Sequence, residues 1–228
     1  MRMRDVPLEP YFQRYMDSRP LAPARGEMFT RPDTLQPTAE FFAALKTAEH
    51  VKILAWLLKV ADEVFEASGV QSSINVDPAI LSTERGRNEF LRMASSTKNP
   101  VTFEFGPEAQ EWPFEAANRL FAQIRDRGHE SALDNFGKDE PDHDMLHALQ
   151  FDTIKIAGAA SAAIDWSAEA QERMEALFHA ITDAGKQHVV QGVESQSAFR
   201  WLQEVGFSTF QGFWFSIPQP ASAITHKH

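Results

Sequence analysis

The chain contains 228 residues, of which 43% are hydrophobic and 18 are phenylalanine, so it can bury one sizeable core and does not have a disordered or fibrous composition. The absence of cysteine excludes disulfides and thiolate metal sites, and a formal net charge of -10 without a basic run disfavours DNA or RNA as a partner. No stretch reaches the ~20 apolar residues that span a bilayer, and the sequence from Met1 to Asp5 has no apolar run of the kind found in signal peptides. We therefore expect a cytoplasmic protein that does not bind membranes.

Helical and extended patterns alternate along the chain from about residue 38 onwards. The apolar spacing predicts two helices between Pro37 and Gly69 and a strand over Val70 to Val76. Pro or Ser at the start and Gly at the end predict further helices from Pro113 to Gly128, from Ser167 to Gly185 and from Ser195 to Gly206. Each Gly is followed within a few residues by a short apolar strand, as is typical of βα units around a parallel sheet. We expect residues 11–220 to form this domain, with residues 1–10 and 221–228 loosely held.

Polar residues occur late in most of the predicted strands. They are Asn75, Glu104, Asp134, Lys155, Gln191 and Gln211. Charged groups are costly in a buried parallel sheet unless they are paired or bound to a metal. In a (β/α)8 barrel the late strand positions converge on the face where ligands bind, so we expect these residues to form one pocket. The alternative is that each is a separate buried polar group, satisfied by its own neighbours.

Two segments near the end of the chain are the most distinctive, Val-Val-Gln-Gly-Val-Glu at Val189–Glu194 and Phe-Gln-Gly-Phe-Trp-Phe-Ser-Ile-Pro at Phe210–Pro218. They resemble the A-E-G-V-E and V-Q-G-Y-x-F-S-x-P motifs of the EAL domain of bacterial cyclic di-GMP phosphodiesterases, which is a (β/α)8 barrel. Weaker matches are Ile74–Val76 beside I-N-L and Leu133–Gly137 beside L-D-D-F-G. The resemblance runs from Tyr11 to Pro220, and therefore covers nearly the whole chain.

The signature tripeptide of the family is present in altered form as Glu27-Met28-Phe29. Arg31 follows it where the family has the Arg of E-A-L-L-R, and Gln13 precedes it at the separation of the Y-Q-P glutamine. Glu104 stands for the Glu of L-E-I-T-E, and Lys155 for the Lys of K-I-D.

The resemblance implies a site at which two divalent ions activate a water that opens one phosphodiester of cyclic di-GMP. The ligands of one ion would be Glu27, Asn75, Glu104 and Asp134, a set that suits Mg²⁺ or Ca²⁺. The second site is depleted, because Asn135, Gln191 and Ala157 stand where the family has acidic residues. Of the family's catalytic set, Lys155 and Glu194 are retained. Together with Gln191 they would be vestiges of a site that no longer works. We therefore expect no working catalytic residue, at most one bound ion and no required cofactor.

The expected function is that of a degenerate EAL-like regulator that binds cyclic di-GMP without hydrolysing it. The residues that would contact the nucleotide are Gln13, Arg31, Asn75, Lys155 and Gln211. One alternative is a nucleotide-independent regulator that binds and inhibits a protein partner, which the acidic surface and the missing metal ligands favour. Another is a weak phosphodiesterase, because Asn135 and Gln191 can still ligate a metal through their oxygens. A protein partner is expected, although the sequence does not identify it.

Three other features have competing interpretations. Phe213 and Trp214 could stack on a guanine, although aromatic residues in such strands more often pack in the core. His143 and His147 lie four residues apart, which fits a solvated helix face better than a metal site. The segment Lys138–Asp144 does not match the family's T-G-Y-S-S-L loop, which couples metal binding to dimerisation in active relatives.

Overall fold

A computed structural model of the chain describes residues 1–106, 109, 112–137 and 143–225, with the backbone alone at 143 and 144. The strands are β1 (Arg2–Met3), β2 (Val6–Arg14), β3 (Met16–Asp17), β4 (Arg25–Pro32), β5 (Gln71–Asn75), β6 (Val101–Phe105), β7 (Glu130–Phe136), β8 (Thr153–Ile156), β9 (Gln187–Val190), β10 (Thr209–Phe210) and β11 (Gln219–Pro220). The helices are α1 (Thr38–Ala43), α2 (Thr47–Ser68), α3 (Pro78–Leu81), α4 (Glu84–Ser96), α5 (Phe114–Arg125), α6 (His143–Ala148), α7 (Gly158–Ser161), α8 (Ala168–Asp183), α9 (Gln196–Val205) and α10 (Ser222–Thr225).

The strands form a barrel in which β4 to β10 run parallel and follow one another in chain order. The eighth position is filled by β2 and β3, which are separated only by Tyr15 and pair antiparallel with β4 and β10 respectively. Residues 15–24, all of them described, contain no helix, and parallel neighbours need a long crossover connection. This short connection explains why the first strand runs against the others. The (β/α)8 prediction is confirmed, with this one antiparallel strand as the difference.

The helix boundaries follow the local signals in the sequence. Gly69 ends α2 in the left-handed conformation, with φ of 67°. The hydroxyls of Ser167 and Ser195 cap α8 and α9, since each accepts a hydrogen bond from a backbone N–H in the first turn, at 3.2 and 3.0 Å. The predicted helices are therefore confirmed, and so is the strand that follows Gly69, as β5.

Alternation along the strands separates an apolar outer layer from a polar barrel interior. On β6, Phe103 and Phe105 pack against Phe90 of α4, with ring centroids 4.9 and 6.4 Å apart. Thr102 and Glu104, which alternate with these two residues along the strand, bond instead to side chains of other strands. Because side chains alternate between the two faces of a strand, every second residue contributes to the interior. The polar residues at the strand ends are thereby brought together.

The chain ends differ from the expectation that they are loosely held. Residues 2–10 contribute β1 and most of β2, and both Met3 and Leu8 are buried. After β11 pairs with β2, Ala221 and Ile224 are buried, and α10 packs against α2. Local composition gave no sign of this order, because it depends on partners from the other end of the chain. Within the described part of the chain, no helix has the length and apolar character needed to cross a membrane.

Candidate functional site

Lys155 lies at the centre of the strand-end face, among three carboxylates. Its Nζ donates to Glu104 Oε1 at 2.6 Å and to Glu27 Oε2 at 2.9 Å, and lies 3.6 Å from Asp134 Oδ1. The Lys155 side chain is 1% exposed and that of Glu104 is completely buried. Burial lowers the pKa of Lys155, but the attraction of Glu104 and Glu27 outweighs burial and holds the pKa well above its usual value. The ammonium is therefore the positive charge against which these acidic groups are balanced.

Glu104 is the most deeply buried of the three carboxylates. Its Oε1 also accepts hydrogen bonds from Ser73 Oγ and, at 3.2 Å, from the Tyr15 hydroxyl, whereas Oε2 has no partner among the described residues. Burial, followed by repulsion from Glu27, raises the pKa of Glu104 to about 8 despite the attraction of Lys155. Neither Tyr15 nor Ser73 was singled out from the sequence. Ser73 had a usable signal, because it precedes Asn75 by two residues and so lies on the same face of β5.

Glu27 is held by donors from three strands. Asn75 Nδ2 donates to Oε1 at 3.0 Å, and Gln211 Nε2 donates to Oε2 at 2.9 Å, beside the contact with Lys155. Burial raises the pKa of Glu27, but the attraction of Lys155 and the hydrogen bonds outweigh burial and leave the pKa below its usual value. Gln211 also donates to Gln13 Oε1 at 3.0 Å, and Gln13 Nε2 donates to the Ser216 carbonyl at 2.7 Å. Gln13 is thus buried and hydrogen-bonded within the protein.

Asp134 accepts hydrogen bonds from the two amides that stand, according to the resemblance, where the family has acidic residues. Gln191 Nε2 donates to Oδ1 at 3.0 Å, and Asn135 Nδ2 donates to Oδ2 at 2.7 Å. Asn135 adopts a positive φ of 56°, a conformation that Asn tolerates better than most residues. Lys155, the three carboxylates and the four amides that donate to them together form the Lys155 network; the amides belong to Asn75, Asn135, Gln191 and Gln211.

Arg31 lies on β4, four residues beyond Glu27, and alternation places it on the same face of the strand. The residue is exposed, and its guanidinium stacks over the rings of Tyr11 and Phe29, at 4.8 and 5.5 Å from their centroids. It makes no hydrogen bond or ion pair with another described residue. Its planar fork is therefore held in place while its donors remain open to a ligand.

Other residues predicted for the site differ in their placement. Glu194 is exposed, and no described residue of the Lys155 network bonds to it. Phe213 and Trp214 are 62% and 47% exposed, so the expectation that they pack in the core is wrong; the turn after β10 leaves them at the surface. His147 is exposed on α6, as expected for a solvated helix face, whereas the His143 side chain and residues 138–142 lie outside what the structure describes. A cleft of about 460 Å³ opens beside the network and includes Asn75, Asp134 and Asn135 in its lining.

The arrangement of the network does not fit a divalent ion on the predicted ligands. Both oxygens of Glu27 and both oxygens of Asp134 accept hydrogen bonds from nitrogen donors. Glu104 Oε1 accepts three hydrogen bonds, one from the Lys155 ammonium and two from hydroxyls. Within the described ranges, no three His, Asp or Glu side chains are placed to share a metal ion. Of the predicted ligands, Glu27, Glu104 and Asp134 surround the Lys155 ammonium, and Asn75 bonds to Glu27. Their role as metal ligands stays a prediction.

The fold and the site together define a class of protein, an α/β barrel with one antiparallel strand and a charged ligand-type pocket at its strand ends. The EAL domain model of protein families matches residues 3–218. The chain belongs to the EAL domain family, as its motifs indicated.

Similar proteins include PdeN of Escherichia coli strain K12, a probable cyclic di-GMP phosphodiesterase, which is 28% identical over 155 residues, or 67% of this chain and 30% of PdeN. Klebsiella pneumoniae BlrP1, in a manganese and cyclic di-GMP complex, has a TM-score of 0.81 at 22% identity over 97% of this chain and 58% of BlrP1. The EAL domain of Pseudomonas aeruginosa FimX bound to cyclic di-GMP has a TM-score of 0.81 at 22% identity, covering 93% of this chain and 90% of that domain. The chain therefore spans only part of PdeN and BlrP1, and the likeness to both structures concerns the fold.

Proposed function

We propose that this EAL domain is a receptor that binds cyclic di-GMP at its strand-end face without hydrolysing it. The observation that carries the proposal is the exposed guanidinium of Arg31, which stacks on two rings and has no ion-pair partner among the described residues. A guanidinium in this state suits a phosphate, which it can bind through two parallel hydrogen bonds. The cleft beside the Lys155 network, about 460 Å³ in volume, lies within the size range of small-molecule sites.

We expect no hydrolysis because two amides, which bond to Asp134, stand where the reaction would need carboxylates. Opening a phosphodiester requires an activated water and a group that accepts its proton. Gln191 and Asn135 cannot accept that proton as carboxylates can, and both already use their N–H groups to bond Asp134. Loss of members of a catalytic unit usually removes most of its rate enhancement. Binding is therefore the function that this set of residues can still perform.

The experiment is a calorimetric titration of the protein with cyclic di-GMP, paired with an assay for the linear dinucleotide in the presence of Mg²⁺ or Mn²⁺. We expect saturable binding and no measurable turnover. A turnover of about 1 per second or faster, which is typical of enzymes, would contradict the proposal and favour an active phosphodiesterase.

A second candidate is a nucleotide-independent regulator that binds a protein partner. Exposed large apolar side chains on the connections after β4, β8 and β10 favour it, because a protein partner could cover them. They are Leu35, Trp166, Phe213, Trp214 and Ile217. A flat calorimetric titration at micromolar protein would decide for this candidate.

A further inference from the structure

The Lys155 network places three carboxylates around a cation that belongs to the protein itself, the Lys155 ammonium. Three carboxylates lie within 3.6 Å of a single ammonium, and the side chains of Lys155, Glu27 and Asp134 are 1%, 15% and 11% exposed. Carboxylates removed from water need a nearby cation and hydrogen-bond donors, or they take up protons. The ammonium and its two short contacts supply part of this compensation from within the protein.

The four amides of the network are oriented as donors. Asn75 and Gln211 present N–H groups to Glu27, while Asn135 and Gln191 present theirs to Asp134. A side-chain amide binds a metal through its oxygen, so an ion that entered here would require these side chains to turn over. The ion would also have to displace Lys155 from Glu104, where the contact is 2.6 Å.

We propose that Lys155 is the resident cation of this pocket, so that the pocket accepts its ligand without a divalent ion, and an added ion competes with the ammonium. The part of this proposal that concerns the ligand rests on the proposed function. The part that concerns the ion does not, since it follows from contacts within the protein alone. Removing the ammonium should therefore leave the carboxylates that now bond to it free to bind a metal ion.

The test uses Mn²⁺ alone, titrated into the full chain and followed by the electron paramagnetic resonance signal of the free ion. We expect no saturable binding to the wild type below millimolar Mn²⁺. Lys155→Met should bind Mn²⁺ at least about tenfold more tightly than the wild type. Lys98→Met removes an exposed lysine whose Nζ lies 3.9 Å from Glu66 Oε1 and which makes no contact with the network, and this variant should behave as the wild type.

A second variant distinguishes two effects of Lys155 on Mn²⁺ binding, namely the position that its ammonium occupies and the net charge of the network. Lys155→Met combined with Glu104→Gln removes one positive and one negative group, so the formal charge of the network is unchanged. It also leaves fewer uncompensated buried charges, which protects the test if Lys155→Met alone does not fold. Because Glu27 and Asp134 remain without the ammonium, we expect this double variant also to bind Mn²⁺ more tightly than the wild type.

Saturable binding of micromolar Mn²⁺ by the wild type would overturn the proposal, as would folded variants that bind the ion no better than the wild type. In a separate titration, the affinity of the wild type for cyclic di-GMP should be the same, within about threefold, in EDTA and in Mn²⁺. A gain of tenfold or more with Mn²⁺ would contradict the proposal. If cyclic di-GMP does not bind under either condition, the proposed function fails, and the Mn²⁺ titrations still decide whether Lys155 is the resident cation.

Discussion

Gln191 illustrates how one amide in place of a carboxylate changes both charge and hydrogen bonding. Its Nε2 lies 3.0 Å from Asp134 Oδ1, a distance at which a carboxylate oxygen in its place would be repelled. Asn135 makes the equivalent contact on the other oxygen at 2.7 Å. The two amides therefore stabilise the charge of Asp134 through hydrogen bonds. The sequence shows only that each amide lacks a negative charge, and the hydrogen bonds that both amides donate to Asp134 are seen only in the structure.

Arg31 is the residue whose substitution should most directly weaken nucleotide binding. Because a charge-assisted contact is worth about 1.5–3 kcal/mol, Arg31→Ala is expected to weaken cyclic di-GMP binding by roughly tenfold to a hundredfold. Arg31→Lys should retain the charge but lose the two-pronged geometry and give an intermediate affinity. The measurement is calorimetry, with Arg92→Ala on α4 as the control for an exposed arginine. Wild-type affinity in Arg31→Ala would show that the nucleotide does not use this residue.

The short helix α7, which follows β8, contacts the backbone of Gln191 and Gly192 directly. Ser161 Oγ donates to the Gln191 carbonyl at 2.7 Å, and a Cβ added at Gly192 would lie only 2.8 Å from the Gly158 Cα. Gly192 also has a positive φ of 70°, which disfavours a side chain at this position. Two glycines therefore meet where these elements converge on the site, and the family motif that contains Gly192 has a structural reason for it.

Gly192→Ala is expected to be more destabilising than Gly185→Ala, which is its matched control. Gly185 has a similar φ of 68° but nothing within 4 Å of an added Cβ, so its substitution should cost only the ~1–2 kcal/mol of the left-handed conformation. At Gly192 the clash with Gly158 should add about 1–3 kcal/mol. Urea unfolding of both variants measures the difference. Equal losses of stability would mean that the loops move apart at little cost.

At the scale of the whole molecule, the two ends of the chain complete the barrel together. β11 pairs with β2, and the Ala221 N–H donates to the Pro10 carbonyl at 2.8 Å. Ile224 is then buried in the core beside α2, far along the chain from its partners. Closure of the barrel therefore depends on residues that local composition assigned to loose ends.

Ile224→Ala should lower the free energy of unfolding by about 2–4 kcal/mol, because it removes a buried branched side chain from this junction. Ser222→Ala, on an exposed position of the same helix, should change it by less than about 0.5 kcal/mol. Both values come from chemical denaturation monitored by tryptophan fluorescence. If Ile224→Ala is as stable as the control, the C-terminal segment does not take part in the cooperative fold.

Local signals in the sequence determined the helices and the late polar positions of the strands. A glycine such as Gly69 or a capping serine such as Ser167 acts on its own few residues, so its effect does not depend on the rest of the fold. The motifs likewise identified the EAL family before any contact was known. These features could be predicted because each is encoded by residues close together in the chain.

Only the tertiary structure decided which group compensates which charge. Lys155 and Glu27 are 128 residues apart, and their contact exists because the barrel brings β4 and β8 to one interior. The donor orientation of the amides, the exposure of Arg31 and the burial of Ile224 depend in the same way on distant partners. Electrostatic and packing energies are set by distance and burial in space, which sequence separation does not encode.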